Sequence, residues 1–332
     1  MSIVLNPITL PASKVISTMT TLIADMRFKD TLSPSDIVND LVDSCRIGKV
    51  EYGKGIVHNF KVGLQPINTL SETSSAFTIT KPNVAQETIE IDQYKFVPLS
   101  TSEVLTKDAV INGEMLSTFF NFVASLMEDT ATFDLFDVCN GLYQNWTPGQ
   151  ASQTITIDLI DPSGSTGADK QAIEQMNATK IAKVMRRTLN NMKIKSNKYT
   201  DVATYTDENT GNTENVVTCL KRDNLKIVFN DVFYTDFMGD AMASLYHSEK
   251  LGEMIPGDKF VLIPEDAMSS GNKYTVIAWL SDKEKFAIAD FYNVTMSIVD
   301  PSTLYENKFY HYAYGAGVFK YAPGVKFVAN YQ

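Results

Sequence analysis

The feature that most restricts how this chain can fold is the stretch from Val50 to Leu99. The segments GIVHNFKVGL, AFTITKP and ETIEIDQYKFVPLS are strand-like, with the two-residue period of a β-strand in Ile89, Ile91, Tyr94 and Phe96. Between the first segment and the other two lies the polar, turn-rich sequence INTLSETSSA. The pattern predicts a long hairpin. Because a two-stranded ribbon with so little apolar surface is marginal in isolation, we expect a partner to order it.

The longest helical pattern of the chain runs from Asn112 to Tyr143. Apolar side chains recur there at the three- and four-residue spacing of one helix face. They are Met115, Leu116, Phe119, Phe120, Val123, Leu126, Met127, Phe133, Leu135, Phe136 and Val138. A core helix explains this stripe better than a cofactor slot does. Thr130 to Thr132 mark the place where we expect the helix to fray or bend.

A shorter helix is predicted in TLSPSDIVNDLVDSCRIGK, after an extended N-terminal arm with a short helix at Ala12–Met26. Ser33 is a favourable N-cap, and Pro34 suits the first helical position. Gly48 is a natural stop. The apolar stripe between them, which must be buried against another element, comprises Ile37, Val38, Leu41, Val42 and Cys45.

A third helix is predicted over Ala168–Asn191, and it carries the one basic run of the chain. Its polar side includes Lys180, Lys183, Arg186 and Arg187. A solvated helix face accounts for these cations. A face for nucleic acid or an acidic partner, and a charge match between subunits, remain open alternatives.

The second half of the chain mixes strands and helices without a regular βαβ rhythm, which predicts the α+β class. A domain boundary is expected near residues 145–150. We expect a hairpin turn around Asn209–Asn212, a strand through LKIVFNDVFYTDFM and a helix at Asp240–Lys250. The strand-like segments KFVLIPED, KYTVIAWLSD, KFAIADFYNVTMSIVD and an aromatic tail complete the order.

Composition limits the classes of partner. The formal charge of −10 disfavours wrapping of DNA, since that affinity comes from Lys and Arg. Cys45, Cys139 and Cys219 are scattered and odd in number, so we expect reduced, buried thiols rather than disulfides or a zinc site. No signal-peptide pattern and no membrane-length apolar run is present, so we expect a cytosolic protein.

The motifs of common enzymes do not match. His58, His247 and His311 are far apart and form no metal-binding pair. In PSGSTGADK, Gly167 is followed by Ala168 and Asp169 instead of the Lys and Ser or Thr of a phosphate-binding loop, and Asp169 would repel a phosphate. We therefore expect a protein without enzymatic activity, cofactor or metal.

The segment KFVPLSTSEVLTKDAV followed by the long helix gives the order of elements a familiar form. It resembles the major capsid proteins of tailed, in particular short-tailed, bacteriophages, which have the Hong Kong 97-type fold. The resemblance implies an N-terminal arm and helix at 1–49 and an extended hairpin, the E-loop, at 50–96. It implies a peripheral domain with a spine helix at 97–145, an axial domain at 146–290 and return strands at 291–332.

By this resemblance the protein would self-assemble through hexamers and pentamers into an icosahedral shell around double-stranded DNA. The implied partners are other copies of the chain, a separate scaffolding protein, a portal, decoration proteins and DNA bound without sequence preference; no membrane is implied. It would assemble in the host cytoplasm and reside in the virion capsid. The alternatives are an encapsulin-type compartment, a phage tail or baseplate protein, and an enzyme with an unrecognised site.

Two sets of residues are candidates for contact between subunits. They are the hairpin tip, Asn68, Thr69, Leu70, Ser71 and Glu72, and the helix residues Ile37 and Leu41. The basic residues Lys180, Lys183, Arg186 and Arg187 are candidates for a face toward DNA or a partner.

The aromatic tail is predicted to be a strand packed on one side. Tyr310, Tyr312 and Tyr314 alternate with His311 and Ala313, so the tyrosines share one face. Few cations are interleaved, which disfavours a base-stacking platform. We interpret the aromatic residues as filling beneath the spine helix.

Overall fold

The computed structural model describes residues 32–50, 54–65, 67, 81–102, 113–207, 211–238, 261–302 and 305–332. The described residues form two compact units. The smaller unit draws on the described residues within 1–35, 93–134 and 292–313, and the larger on those within 36–92, 135–291 and 314–332. The five-part division of the chain into arm, E-loop, peripheral domain, axial domain and return strands stays a prediction.

The larger unit is built on a five-stranded mixed sheet of order β5-β13-β10-β8-β9. Its strands are β5 (Thr154–Leu159), β8 (Leu225–Asn230), β9 (Val261–Ile263), β10 (Val276–Asp282) and β13 (Gly324–Tyr331). Strand β10 is antiparallel to β13 and β8, whereas β5 and β9 join the sheet in parallel. Every residue of β8 is buried, as expected of an inner strand covered on both faces.

Helix α3 (Ala168–Met192) packs against this sheet, and the helix predicted there is confirmed. Ile181, Met185 and Leu189 lie on its buried side, at helical spacing. They belong to one apolar cluster with sheet residues such as Phe229 and Phe327. The 3.6-residue period therefore leaves the charged side of α3 to solvent.

Helix α1 (Asp36–Cys45) buries Val38, Leu41, Val42 and Cys45, as its sequence pattern predicts. It ends earlier than Gly48, the predicted stop. Directly after Cys45 the chain becomes strand β1 (Arg46–Lys49), which pairs in parallel with β11 (Phe286–Asp300). The cause is tertiary, because strand pairing with a segment about 240 residues away replaces the next helical turn.

The predicted hairpin is confirmed in its paired part. Strands β2 (Gly55–Lys61) and β3 (Val84–Glu90) are antiparallel, with seven consecutive pairs from Gly55↔Glu90 to Lys61↔Val84. A second, short hairpin pairs β6 (Thr204–Thr206) with β7 (Thr213–Asn215), which confirms the predicted hairpin in this region.

The smaller unit contains strand β4 (Gln93–Ser102) and parts of β11, β12 (Tyr305–Val318) and helix α2 (Gly113–Gln144). Strands β1-β11-β12-β4 form one sheet in this order. The predicted long helix is confirmed, and it is continuous through Thr130 and Thr132. Both hydroxyls donate to carbonyls four residues earlier, at 2.7 and 3.0 Å, so each finds its hydrogen-bond partner within the helix.

One predicted strand is wrong in its second half. The segment DVFYTDFM is helix α4 (Asp231–Met238), directly after β8. The Asn230 Oδ1 accepts from the Val232 amide at 3.2 Å, as an N-cap does, while its Nδ2 donates to the carbonyls of Lys273 and Val276. The helices predicted at Ala12–Met26 and Asp240–Lys250 lie outside the described residues. Within the described ranges, no helix is both long and apolar enough to cross a membrane.

Candidate assembly surfaces

The hairpin β2–β3 is held to the larger unit by the final residues of the chain. The Glu87 carboxylate accepts from the backbone amides of Lys320 and Tyr321 at 3.1 and 3.3 Å. The backbone of Gly315 passes so close to the Glu90 carbonyl that a Cβ at this position would overlap it. These contacts fix β3 by its backbone and one carboxylate, with little apolar burial.

Aromatic rings hold β2 against the same C-terminal segment. The Phe319 ring centroid lies 4.7 Å from that of His58 and 5.5 Å from that of Phe60. The Nδ1 of His58 is 3.2 Å from Glu284 Oε2. His58 therefore anchors the hairpin. His311 instead contacts Phe96, with ring centroids 5.6 Å apart, and His247 lies outside the described residues.

A third group of contacts ties the far end of the described hairpin to β6–β7. Asn83 Nδ2 donates to the Tyr205 hydroxyl at 3.1 Å, and this hydroxyl donates to Glu214 Oε2 at 3.1 Å. A side chain at Gly63 would overlap the same hydroxyl. The Val217 amide also donates to the Val62 carbonyl at 2.9 Å. The direction in which the hairpin leaves the larger unit is therefore fixed by side chains remote in sequence.

The hairpin exposes apolar side chains in its described part. Val57, Leu64, Ile67 and Val84 each leave roughly half or more of their surface accessible, and Ile67 is 98% exposed. Only Ile89 among the residues of its two strands is buried. Exposed apolar residues on a two-stranded hairpin are typical of a surface that another chain covers.

The residues predicted to contact other subunits have different placements. Asn68, Thr69, Leu70, Ser71 and Glu72 lie outside the described residues. Ile37 is 40% exposed and remains available to a neighbour. Leu41 is fully buried within its own subunit, so its placement does not support a direct contact and corrects that expectation. It shares the helical stripe with Ile37 but lies deeper against the core.

In the smaller unit, Asp134 joins helix α2 to the sheet. The Lys95 Nζ donates to both carboxylate oxygens of Asp134 at 2.8 Å, and the Tyr312 hydroxyl donates to one of them at 2.9 Å. Lys95 and Tyr312 therefore face the helix, in agreement with the interpretation that the tail tyrosines fill the space beneath it. Alternation then directs Tyr94 and Phe96 to the opposite side of β4, where they are 62% and 55% exposed.

The tail strand is not packed on one side only, which corrects the prediction. Residues 312–315 of β12 are all buried, so both faces are covered there. On the face of His311, Phe309 also contacts Phe96, at 5.9 Å between ring centroids. The aromatic residues of β12 and β4 therefore form contacts on both sides of the sheet.

The outer part of β11 presents an apolar row that the sequence analysis did not single out as a surface. Val294, Met296 and Ile298 are 41%, 57% and 64% exposed, and polar residues alternate with them. Strand β1 pairs with β11 only up to Asp290, so among the described strands none covers this edge beyond that point. The two-residue alternation of NVTMSIVD indicates that one face of this strand is apolar, but it does not reveal whether that face is covered by the rest of the subunit.

The basic side of α3 is exposed, as predicted. Lys180, Lys183, Arg186 and Arg187 all lie opposite the buried face of the helix. The Lys180 ammonium donates to the Asp158 carbonyl. In the described ranges, Lys183, Arg186 and Arg187 form no ion pair within the subunit. We call these four residues the basic stripe.

Two predictions about reactive groups can be compared with the structure. Cys45 and Cys139 are buried, but Cys219 is exposed, which corrects the expectation of three buried thiols. The exposed Cys219 thiol donates to the Lys193 carbonyl at 2.9 Å. Over the described residues, no group of three or more His, Cys, Asp or Glu side chains is arranged to hold a metal ion.

Comparisons with known proteins agree with this architecture. The capsid of Staphylococcus phage Andhra is similar over 94% of this chain and 90% of its own, with 8% identity and a TM-score of 0.64. The capsid of cyanophage P-SCSP1u is similar over 94% of each chain, with 12% identity and a TM-score of 0.56. The mature capsid of bacteriophage PhiM1 is similar over 93% of this chain and 91% of its own, with 8% identity and a TM-score of 0.52.

At such low identity these structures show the fold alone, and the fold is the α+β, Hong Kong 97-type capsid fold. No curated protein matches the sequence. The model of the Phi29-like phage major capsid protein family, however, matches residues 37–328, which is most of the chain. The chain therefore belongs to the Phi29-like phage major capsid proteins, and its role is that of a structural protein of the virion shell.

Proposed function

We propose that this protein assembles through hexamers and pentamers into an icosahedral shell that encloses double-stranded DNA, and that it performs no enzymatic reaction. The observation that carries the proposal is the open, apolar edge of β11, with Val294, Met296 and Ile298 exposed. A neighbouring copy that covers this row removes apolar surface from water, worth about 25 cal/mol per Å².

The hairpin and Ile37 are the other contacts that we assign to neighbouring copies. The hairpin tip, Asn68–Glu72, extends from a base whose direction is fixed by Tyr205 and Glu87. Many shared contacts of this kind give stability to the shell without one tight pair interface. Deletion of residues 68–75 should leave a folded subunit that assembles poorly, and normal shells from that variant would refute the assignment.

We assign contact with packaged DNA to the basic stripe. Its four cations form a local positive surface on a chain of net charge −10, which favours weak contact without sequence preference. The variant K183E/R187E should lower the proportion of DNA-filled particles, whereas K195E/K198E, with the same charge change outside the stripe, should not. Equal effects of the two variants would contradict this assignment.

Other partners follow from the shell role. A separate scaffolding protein, a portal and decoration proteins would act during assembly in the host cytoplasm and on the finished virion. The match to phage major capsid proteins favours this reading over an encapsulin-type compartment or a tail protein. No contact among the described residues points to either alternative.

Electron microscopy of the purified protein, alone and with its scaffolding protein, tests the proposal directly. Closed shells, or five- and six-membered rings, are expected. The variant M296E/I298E should remain folded by circular dichroism yet lose the shells. The matched control T295E/S297E places the same charges on the polar side of the same strand and should still assemble. A monomer or dimer under all conditions, or shells from M296E/I298E, would refute the proposal.

A further inference from the structure

Three buried polar side chains of the larger unit have no hydrogen-bond partner among the described residues. They are Tyr143, near the end of α2, and Trp279 and Ser281 on β10. Each is at most 1% exposed. The indole N–H of Trp279 can only donate, so it requires an acceptor. Since buried polar groups are normally hydrogen-bonded, these three call for an acceptor from outside the chain.

The sheet register brings these groups to the same face as a buried lysine. Ser281 lies directly opposite Lys226 of β8, and Trp279 is two residues away along β10, so their side chains share one face of the sheet. Tyr143 packs on this face, because its ring centroid lies 5.7 Å from that of Trp279 and 5.4 Å from the Lys226 Nζ. We call Tyr143, Lys226, Trp279 and Ser281 the donor cluster.

Lys226 gives the donor cluster a positive charge that no described carboxylate balances in an ion pair. Its side chain is buried, and its Nζ donates to the Ser44 carbonyl at 2.7 Å and lies 3.9 Å from Cys45 Sγ. A buried charge is normally paired, because it has lost its hydration. Burial accordingly lowers the pKa of Lys226 from its ordinary value. A negatively charged acceptor beside Nζ would offset this cost.

The chemistry of the donor cluster favours a small monovalent anion. An ammonium group, an indole N–H and two hydroxyls can all donate, and none of the four side chains carries a carboxylate for a cation. All four are at most 6% exposed, so the ligand must give up its hydration. A divalent anion such as sulfate would lose far more hydration energy than a halide does. Chloride is the halide that a cell supplies in quantity.

We propose that the donor cluster binds one buried chloride ion through its ammonium group, its indole N–H and its two hydroxyls. The ion neutralises the charge of Lys226 and accepts the hydrogen bonds that the three uncharged groups do not form within the chain. Because Lys226 also donates to the Ser44 carbonyl of α1, the bound ion helps to join α1, α2 and the sheet. The site lies within one subunit and does not depend on shell formation.

Bromide is the probe, because it replaces chloride in such sites and quenches indole fluorescence on contact. Sodium bromide is titrated into the full-length protein against sodium gluconate at constant ionic strength, and tryptophan fluorescence is recorded. The two tryptophans of the chain, Trp146 and Trp279, are both buried, so collisional quenching should be weak and linear. Bound bromide should add a saturable phase from Trp279, and excess chloride should reverse it.

Variants assign the saturable phase to the donor cluster. Lys226→Met removes the charge and should abolish the phase, whereas Lys283→Met, which makes the same change at an exposed position, should retain it. Ser281→Ala removes one hydroxyl and should weaken the apparent bromide affinity about fivefold. This milder variant decides the matter if Lys226→Met does not fold.

Three results would overturn the inference. Linear quenching without a saturable phase in the wild type would show that water alone satisfies the donor cluster. A saturable phase of unchanged affinity in Lys226→Met and Ser281→Ala would place the bromide elsewhere. A phase that occurs in Cys45→Ala but not in the wild type would show that a Cys45 thiolate, 3.9 Å from Nζ, already balances the charge of Lys226.

Discussion

Replacement of Lys285 by Met should destabilise the larger unit strongly. Lys285 is fully buried, and its Nζ donates to Asp201 Oδ2 at 3.0 Å, to the Phe319 carbonyl at 3.3 Å and to the Ala322 carbonyl at 2.9 Å. It also lies 4.9 Å from the Trp146 ring centroid. Methionine fills a similar volume but donates no hydrogen bond. The variant therefore leaves a largely buried carboxylate and two carbonyls without this donor.

The loss of unfolding free energy depends on the hydrogen bonds that Asp201 keeps in the variant. Removing one partner of a buried ion pair costs about 3–5 kcal/mol. Asp201 keeps donors from Gln153 Nε2 at 2.8 Å and from Trp146 Nε1 at 3.2 Å, so we expect the lower part of that range, about 3 kcal/mol. With a urea m-value of about 3 kcal/mol/M, the unfolding midpoint should fall by about 1 M.

Urea titration followed by tryptophan fluorescence measures this shift. The control is Lys283→Met, which makes the same chemical change two residues earlier at an exposed position and should stay within about 0.5 kcal/mol of the wild type. Lys285 also donates to the carbonyl of Phe319, whose ring contacts the hairpin, so its loss should loosen the base of the hairpin. A midpoint for Lys285→Met equal to that of Lys283→Met would show that the buried pair does not stabilise the fold.

Three further outcomes are expected. Gly315→Ala should lower the melting temperature because its Cβ would overlap the Glu90 carbonyl, whereas Gly317→Ala meets only flexible side-chain atoms and should have little effect; equal melting temperatures would contradict this account. Tyr205→Phe removes the hydroxyl shared by Asn83 and Glu214 and should cost about 1 kcal/mol in urea titration and reduce shell yield; an unchanged yield would show that this contact does not direct the hairpin. Burial raises the pKa of Asp282, so the native state binds more protons than the unfolded chain between the ordinary and the raised pKa, and the stability contributed by this group falls as pH rises through that window. Asp282→Asn should therefore unfold at higher urea than the wild type at neutral pH and lose this pH dependence; a wild-type pH profile would refute the assignment.

The local elements could be predicted because their signals lie in consecutive residues. Helices α2 and α3 and the hairpin β2–β3 repeat apolar residues with the periods of a helix and a strand, and the bounds of the two helices agree closely with the structure. The predicted second strand of the hairpin, 87–100, is instead divided between β3, which pairs with β2, and β4, which pairs with β12. The candidate surfaces could be predicted from the sequence only in part. The basic stripe could be found by charge alone, and the tyrosines of β12 by alternation.

Contacts between distant segments determined features that the periodicity of the sequence does not specify. The Asn230 Oδ1 caps α4 by accepting from the Val232 amide, and its Nδ2 is fixed by donating to carbonyls more than 40 residues away, so the apolar segment after it becomes a helix. Leu41 and Ile37 share one stripe, but packing buries the first and leaves the second partly exposed. Lys285 forms an ion pair with Asp201, which is 84 residues away in the chain. A sequence determines which faces are apolar, whereas which face is covered, and by what, depends on contacts between distant segments.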